Sequence, residues 1–231
     1  MKIRLRQVIK GQATIALLAL CSIAFSGQAM ASDRNCLLLG MLGATPPQCE
    51  DEMNSYDSNT TQNAAVSFSD VFSFVDREPV ENAASVLTRS VKGVSYTIDT
   101  TRLEPEAAYT IWAVIFNNPE QCMGTICSSD DFGDPTVEAS VFWTLGRVTD
   151  ASGQATFTAN IIAGETPEGE GRTLFGDGLI NPNKAEIHFI VRSHGPVENL
   201  DGEVLDAALT TVDGGCEVNV CDDQQFSVHL P

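Results

Sequence analysis

The sequence has few basic residues. Lys and Arg make up only 13 of its 231 residues, against 31 Asp and Glu, and the formal net charge is −18. Four of these 13 precede residue 32, so the rest of the chain carries nine basic residues against 31 acidic ones, a net charge of −22. A surface of this sign repels nucleic-acid phosphates and anionic lipids. The composition therefore argues against nucleic-acid partners and electrostatic membrane docking, and it favours either simple solubility outside the cell or the binding of cations.

Long apolar runs are also scarce. The run Ala13–Phe25 has 13 residues, whereas a bilayer-spanning helix needs about 20. The run is preceded by Lys2, Arg4, Arg6 and Lys10, and it is followed by the small-residue pattern Ala29-Met30-Ala31. These features are typical of a cleaved export signal, the alternative being a membrane anchor. We expect residues 1–31 to be a signal peptide, the mature chain to have no membrane span, and the protein to be secreted or periplasmic.

Recognisable catalytic motifs are absent as well. The sequence contains no G-x-S-x-G elbow, no H-E-x-x-H pair, no P-loop and no G-x-G-x-x-G turn. The familiar forms of serine-nucleophile acyl transfer, zinc proteolysis and nucleotide binding are therefore excluded. Whether the protein is an enzyme stays open, and a non-enzymatic function is favoured.

Apart from Cys21 in the predicted signal, the six cysteines form three pairs of near neighbours along the chain. The pairs are Cys36 with Cys49, Cys122 with Cys127, and Cys216 with Cys221. An even, locally clustered set in an exported chain predicts disulfides, although sequence alone allows fifteen pairings. We expect closure within each pair. The alternative is a four-thiolate zinc site made by the two C-x4-C pairs.

Period-two alternation dominates the rest of the chain. The segment "GVSYTIDT" alternates Val94, Tyr96 and Ile98 with polar residues, as a half-buried strand does. The run Tyr109–Phe116 is apolar in both alternating sets, which predicts a central strand covered on both faces. Short strands and frequent turn signals predict an all-β fold: an antiparallel β-sandwich with Greek-key, immunoglobulin-like connections, stapled by disulfides. We place it at residues 64–231, after an N-terminal cysteine loop and polar linker at residues 32–63.

Two segments carry more local predictions. The strands "VEASVFWTLGRV" and "QATFTANII" flank the turn-forming run "TDASG", which predicts a β-hairpin. Residues 66–76 fit a helix by the spacing of their apolar residues and a strand by the alternation of Phe72 with Phe74, so both remain open.

The three histidines lie on two predicted strands. If residues 185–194 are one strand, the core-facing set is Ala185, Ile187, Phe189 and Val191, and His188, Arg192 and His194 share the other side. In residues 226–230 the apolar set is Phe226, Val228 and Leu230, which would place His229 away from the core.

The same histidines define the metal hypothesis. If the two strands pair, His188 or His194 approaches His229 closely enough for the imidazoles to share zinc or copper. The alternative is that all three are ordinary solvent-facing strand residues, and we expect no stoichiometric transition metal. Arg192 on that face would oppose a cation and favour an anion such as a carboxylate, unless Glu186 neutralises it.

A second candidate site is acidic. The loop "SSDDFGDP" holds Asp130, Asp131 and Asp134 beside Cys127. Carboxylates and loop carbonyls are the ligands that calcium prefers, so these residues form a candidate calcium site. The loop lacks EF-hand spacing, and acidic loops are often only solvated.

Four segments resemble a group of exported bacterial proteins of uncharacterised activity. They are "YTIWAVIFNNPEQC", "VEASVFWTLGRVTDASGQATF", "EIHFIVRSHGP" and "GGCEVNVCDDQQFSVH", and the resemblance covers about Val86 to His229. It implies the architecture and export, and it implies no activity.

The sequence therefore favours an exported, non-catalytic β-sandwich module that binds an extracellular or periplasmic ligand through loops such as Gly164–Gly178. The alternative is a metal-dependent protein or enzyme that uses His188, His194 and His229.

Overall fold

The structure is a computed structural model that describes residues 65–231. Its strands are β1 (Ala65–Ser69), β2 (Phe72–Ser73), β3 (Ala84–Ser90), β4 (Gly93–Thr100), β5 (Ala107–Phe116), β6 (Ala139–Val148), β7 (Ala155–Ile162), β8 (Thr173–Phe175), β9 (Glu186–Pro196) and β10 (Asp222–His229). Helix α1 spans Gly202–Thr210, and short 3₁₀ turns lie at Pro119–Gln121, Ser129–Asp131 and Val197–Asn199. No helix of this region is long and apolar enough to cross a membrane.

The strands form two antiparallel sheets. The first has four strands in the order β1-β3-β4-β7, and the second has six in the order β2-β10-β9-β5-β6-β8. The chain passes between the sheets from β4 to β5 and from β6 to β7, so β4 and β7 pair in one sheet while β5 and β6 pair in the other. This is Greek-key connectivity, and the prediction of an antiparallel β-sandwich is confirmed.

Strand β5 lies in the middle of the six-stranded sheet, as predicted. It pairs with β6 on one side and β9 on the other. One set of its residues, including Ile111 and Ile115, packs into the core between the sheets. The other set, including Val114 and Phe116, packs under loops on the outer face. The core between the sheets also contains Phe189, whose ring lies 4.2 Å from that of Tyr96.

A tyrosine hydrogen-bonds the crossover segment between β4 and β5. The Tyr109 hydroxyl accepts a 3.0 Å hydrogen bond from the backbone N–H of Glu104, five residues upstream. The arrangement resembles the tyrosine corner of Greek-key sandwiches. Burial raises the pKa of this phenol, which keeps the hydroxyl neutral.

The hairpin predicted at "TDASG" is wrong. Strand β6 belongs to the six-stranded sheet and β7 to the four-stranded sheet, so the turn carries the chain from one sheet to the other. Asp150 holds the turn by accepting hydrogen bonds from the backbone of Ser152 and Gln154. The turn docks on the neighbouring crossover, where Leu103 N–H donates to the carbonyl of Gly153. These contacts between the two crossovers replace those of a hairpin.

The open question at residues 66–76 is settled as two short strands, β1 and β2, with a turn after β2. The predicted signal peptide (1–31), the N-terminal loop and linker (32–63) and the Cys36–Cys49 bridge lie outside the described residues.

Candidate functional site

His229 lies inside the sandwich, which corrects the predicted orientation of β10. Its side chain is only 1% exposed and packs against the Phe189 ring at 5.9 Å. Phe226 and Val228 point to the outer face and are partly exposed, so the prediction that they belong to the core is also wrong. Gln225 and Ser227 are buried with His229. The polar set of this strand faces inward because the residues around it satisfy its hydrogen bonds.

The His229 ring is held as a neutral imidazole. Ser227 donates to the hydroxyl oxygen of Ser85 at 3.0 Å, which leaves the Ser85 proton for His229 Nε2 at 2.8 Å. Nδ1 then donates to the Ser67 hydroxyl at 3.0 Å. Burial, and after it the nearby positive charge of Arg89, together lower the pKa of His229 to about 4.

His194 is buried on the opposite side of the six-stranded sheet, at a bulge of β9. Its Nδ1 lies 2.7 Å from the carbonyl of Gly214, so this nitrogen carries the proton and donates it. Its Nε2 lies 2.7 Å from the Thr110 hydroxyl and accepts from it. Burial lowers the pKa of the ring, which again favours the neutral form. Gly195 follows with φ at 83°, and a side chain there would collide with Asn219.

His188 contacts a buried carboxylate. Its Nε2 lies 2.6 Å from Glu186, and the same Glu186 oxygen accepts the N–H of Cys127 at 2.8 Å. The ring also packs edge-on against Phe116 at 5.2 Å. This pair links β9 to the Cys122–Cys127 loop.

The three histidines therefore do not converge. Strands β9 and β10 are neighbours, as predicted, but Val228 rather than His229 lies opposite His188. Because His229 faces the core and His188 the outer surface, the sheet itself separates the two rings.

Arg192 is neutralised, although by different partners from the predicted Glu186. Its guanidinium contacts Asp223 at 2.7 Å and Asp213 at 3.1 Å. The prediction of an anion contact assumed an unpaired charge on this face. Two carboxylates already compensate that charge, so Arg192 alone gives no anion pocket.

Two carboxylates of the acidic loop accept hydrogen bonds from other residues of the same loop. Asp131 is buried and accepts the N–H groups of Met123 and Ser128, each at 2.8 Å. Asp134 accepts the N–H and hydroxyl of Thr136. These bonds lower the pKa of both carboxyls. Asp130 is exposed. The calcium site stays a prediction, and the structure gives two of its three carboxylates a role in shaping the loop.

Both described cysteine pairs are bridged, as predicted. The Cα–Cα distance is 5.3 Å for Cys122–Cys127 and 5.2 Å for Cys216–Cys221. Because each bridge closes within its pair, the alternative prediction of a four-thiolate zinc site shared by the two pairs is wrong for the disulfide-bonded protein.

An unforeseen feature is a row of apolar side chains across the outer face of the six-stranded sheet. In successive strands from β2 to β6, directly paired residues continue the row: Phe72, Phe226, Ile190, Trp112 and Trp143. All five side chains are partly exposed. Four inter-strand steps of about 4.8 Å make this row about 19 Å long. We call these five residues the aromatic strip.

Arginines stack along the aromatic strip. The guanidinium of Arg77 lies 5.2 Å from the Phe226 ring, that of Arg192 lies 4.5 Å from Trp112, and that of Arg172 lies 4.8 Å from Trp143. Arg192 is ion-paired. Within residues 65–231, Arg77 and Arg172 have no carboxylate within salt-bridge distance. The two ends of the strip therefore carry guanidinium groups free to bind an acceptor.

The aromatic strip is bordered by two covering segments. On one side α1 packs on β5 and β6, and Trp143 Nε1 donates to the carbonyl of Leu209 at 3.1 Å. On the other side Phe132 and the Cys122–Cys127 loop cover the next row of the sheet. In the described region Trp112 Nε1 and Arg192 Nε are buried without an acceptor. The donors that a ligand on this surface can reach are therefore the guanidinium groups of Arg77 and Arg172, beside the partly exposed apolar side chains of the strip.

A polar cleft of about 660 Å³ lies elsewhere, where the two crossovers meet. It is lined by residues such as Asp99, Arg147 and Asp150. Asp99 accepts the hydroxyl of Thr156 at 2.6 Å, and Asp150 holds its own turn. Both carboxylates of the cleft serve local structure in this way, so it is the weaker candidate.

Sequence reasoning missed the aromatic strip because its members lie on separate strands, and only the register brings them into one row. One signal was present: both tryptophans of the chain lie on outward-facing positions of strands. The predicted binding loop Gly164–Gly178 contributes Arg172 to one end.

No protein-family model, curated protein or solved structure matches the chain. The resemblance to exported bacterial proteins therefore stays a prediction. Fold and bonding define the class: the described chain is a disulfide-containing antiparallel β-sandwich domain.

Proposed function

We propose that this protein is an exported, non-catalytic binding module that holds an extended glycan on the aromatic strip. The observation that carries the proposal is the in-register row itself, in which five neighbouring strands each present one apolar side chain that stays partly exposed. A contiguous apolar surface of this kind on a soluble domain is typical of a binding site.

The chemistry of the aromatic strip supports a glycan as its occupant. Sugar rings offer flat C–H faces that pack on aromatic rings, and their hydroxyl and ring oxygens accept hydrogen bonds. The strip offers the complement, since the partly exposed rings of Trp112 and Trp143, each with a guanidinium stacked on it, supply apolar surface, and Arg77 and Arg172 supply donors. Its length of about 19 Å suits a chain of several sugars rather than a single one.

The groups beside the aromatic strip support binding rather than catalysis. Asp213 and Asp223 are paired with Arg192, and His194 is a buried ring hydrogen-bonded at both nitrogens. A general acid or base must reach the reacting atoms with a proton to exchange. These groups are committed to the fold instead.

Export is supported by two independent features. Two disulfides in a domain with its own core are typical of an oxidising compartment outside the cytoplasm. The basic and apolar pattern of residues 1–31 has the form of an export signal.

The test is binding of the purified exported protein to a panel of soluble and insoluble glycans, with affinity measured by calorimetry. The test variants are Arg77→Ala/Arg172→Ala, which removes the end donors, and Trp112→Phe, which keeps an aromatic ring at this position of the outer face. The matched control is Phe68→Ala, because Phe68 is 78% exposed on β1 of the other sheet.

We expect at least one glycan class to bind and the Arg77→Ala/Arg172→Ala variant to bind it at least tenfold more weakly, equivalent to about 1.4 kcal/mol. The Phe68→Ala control should bind as the wild type does. The proposal is wrong if no glycan of the panel binds, or if the control loses as much affinity as the strip variants.

A further inference from the structure

The Cys216–Cys221 disulfide lies against a buried imidazole. Cys221 Sγ is 3.6 Å from His194 Nδ1, and the three ligand atoms of Cys216, Cys221 and His194 all lie within 4.8 Å of one another. The ring of His194 is fully buried, whereas both cysteines are partly exposed. A reductant can therefore approach the sulfurs while the imidazole stays fixed.

The spacing matches one edge of a zinc tetrahedron. With Zn–S about 2.3 Å, Zn–N about 2.05 Å and a tetrahedral angle, ligand nitrogen and sulfur lie about 3.6 Å apart. His194 and Cys221 have this separation already. Two groups must move: the second sulfur, because two thiolates on one zinc lie about 3.8 Å apart, and the Gly214 carbonyl, which lies 2.7 Å from Nδ1 where the cation would sit.

We propose that reduction of Cys216–Cys221 creates a Cys2His site for zinc or a similar thiophilic cation. A dithiol reductant breaks the S–S bond by exchange, so the two cysteines gain two electrons and two protons and the dithiol becomes a disulfide. The cation then binds both sulfurs and releases the two protons. Three protein ligands leave one position open.

Thr110 lets His194 change roles while keeping the hydrogen bond at Nε2, although the bond from Nδ1 to the Gly214 carbonyl is given up. In the disulfide state Nδ1 donates to Gly214 and Nε2 accepts from Thr110. To bind a cation through Nδ1, the ring must move its proton to Nε2. A threonine hydroxyl can accept as well as donate, so the new N–H finds the same partner at 2.7 Å. Such an outer partner fixes the tautomer of a ligating histidine, which makes Thr110 a positioning residue.

The other disulfide lacks this arrangement. The third group near Cys122 and Cys127 is Asp131, whose two oxygens each accept a loop N–H. Binding a cation there would break two backbone hydrogen bonds that fold the loop, whereas His194 gives up only its bond to Gly214. The Cys122–Cys127 pair is therefore the matched control.

The experiment is a titration of the exported protein with Co²⁺ and Zn²⁺ before and after reduction by a phosphine, under anaerobic conditions. Thiolate-to-cobalt charge-transfer absorption reports ligation by sulfur, and circular dichroism reports the fold. We expect one equivalent of Co²⁺ to bind only after reduction, at least 100-fold more tightly than to the disulfide form, and Zn²⁺ to displace it.

Three variants assign the site. Cys122→Ser/Cys127→Ser should retain the charge-transfer band and Cys216→Ser/Cys221→Ser should lose it. Thr110→Val should weaken binding roughly tenfold or more. The proposal is wrong if the reduced protein shows no band, if the band persists without Cys216 and Cys221, or if reduction abolishes the β-sheet spectrum and metal does not restore it.

Discussion

Protonation of His229 should destabilise the protein in mild acid. The ring lies in the core, donates to Ser67 and accepts from Ser85, and it sits close to the buried guanidinium of Arg89, which donates to the His229 carbonyl at 3.2 Å. A second ring proton would turn Nε2 into a donor facing the Ser85 proton, next to a like charge. Burial, and after it the charge of Arg89, therefore lower the pKa of His229 to about 4 in the folded state.

The sign and size of the effect follow from linkage. The folded pKa lies below the unfolded value of about 6.5, so the unfolded chain takes up the proton first as the pH falls. The contribution is fully present above about pH 6.5 and is lost as the pH falls toward the folded pKa of about 4. At about 1.4 kcal/mol per pKa unit, the group accounts for about 2 kcal/mol of the unfolding free energy lost between about pH 7 and pH 4.5.

Urea unfolding of the wild type and of His229→Gln at those two pH values isolates this contribution. The amide keeps hydrogen-bonding capacity toward Ser67 and Ser85 but cannot titrate, and every other ionisable group is common to the two proteins. We expect the variant to lose about 2 kcal/mol less than the wild type on acidification. Equal losses in the two proteins, or an NMR midpoint of His229 near its ordinary value, would refute the reasoning.

Two further substitutions test the packing around the sheets. Gly146→Ala would place a Cβ 1.9 Å from the backbone oxygen of Leu209, so α1 must shift. We expect the unfolding free energy measured in urea to fall by about 2 kcal/mol. Trp143 emission should change as well, because Trp143 donates to that oxygen. Tyr109→Phe removes the acceptor of the Glu104 N–H at the crossover, and we expect a loss of about 1–2 kcal/mol by the same assay; an unchanged unfolding free energy would mean that the corner hydrogen bond contributes nothing.

The sequence pattern predicts the strands whose buried faces are the apolar faces of their own alternation. Strand β5 is apolar at both alternating sets, and a strand with this pattern has few places other than the middle of a covered sheet. In β9 the alternation of Ile187 and Phe189 with polar residues gives the correct face. Local closure of the C-x4-C pairs follows from proximity along the chain.

Strand β10 could not be assigned from its alternation. Apolar Phe226 and Val228 alternate with Ser227 and His229, and the ordinary rule places the apolar set inside. In this fold the outer face is also partly apolar, and the inner end of the strand meets Ser85 and Arg89, which satisfy its polar groups. The choice of face therefore depends on partners far away in sequence. The turn between β6 and β7 fails as a hairpin for the same reason, since tertiary contacts decide which sheet each strand joins.

The aromatic strip is harder still to predict from the sequence. The row forms only when strand order and register are fixed. A shift of one residue in β9 would replace Ile190 by Val191, which belongs to the other face. Trp112 and Trp143 are 31 positions apart in sequence and directly paired in the sheet. No local pattern encodes that pairing.

Tryptophan emission during glycan titration tests the central claim most directly, because the only two tryptophans of the chain both lie in the aromatic strip. We predict that a glycan bound by the protein changes this emission in a saturable way, with the dissociation constant found by calorimetry. The Arg77→Ala/Arg172→Ala variant should require at least tenfold more ligand for the same change. A glycan that binds by calorimetry yet leaves the emission of both tryptophans unchanged would show that the aromatic strip is not the binding site.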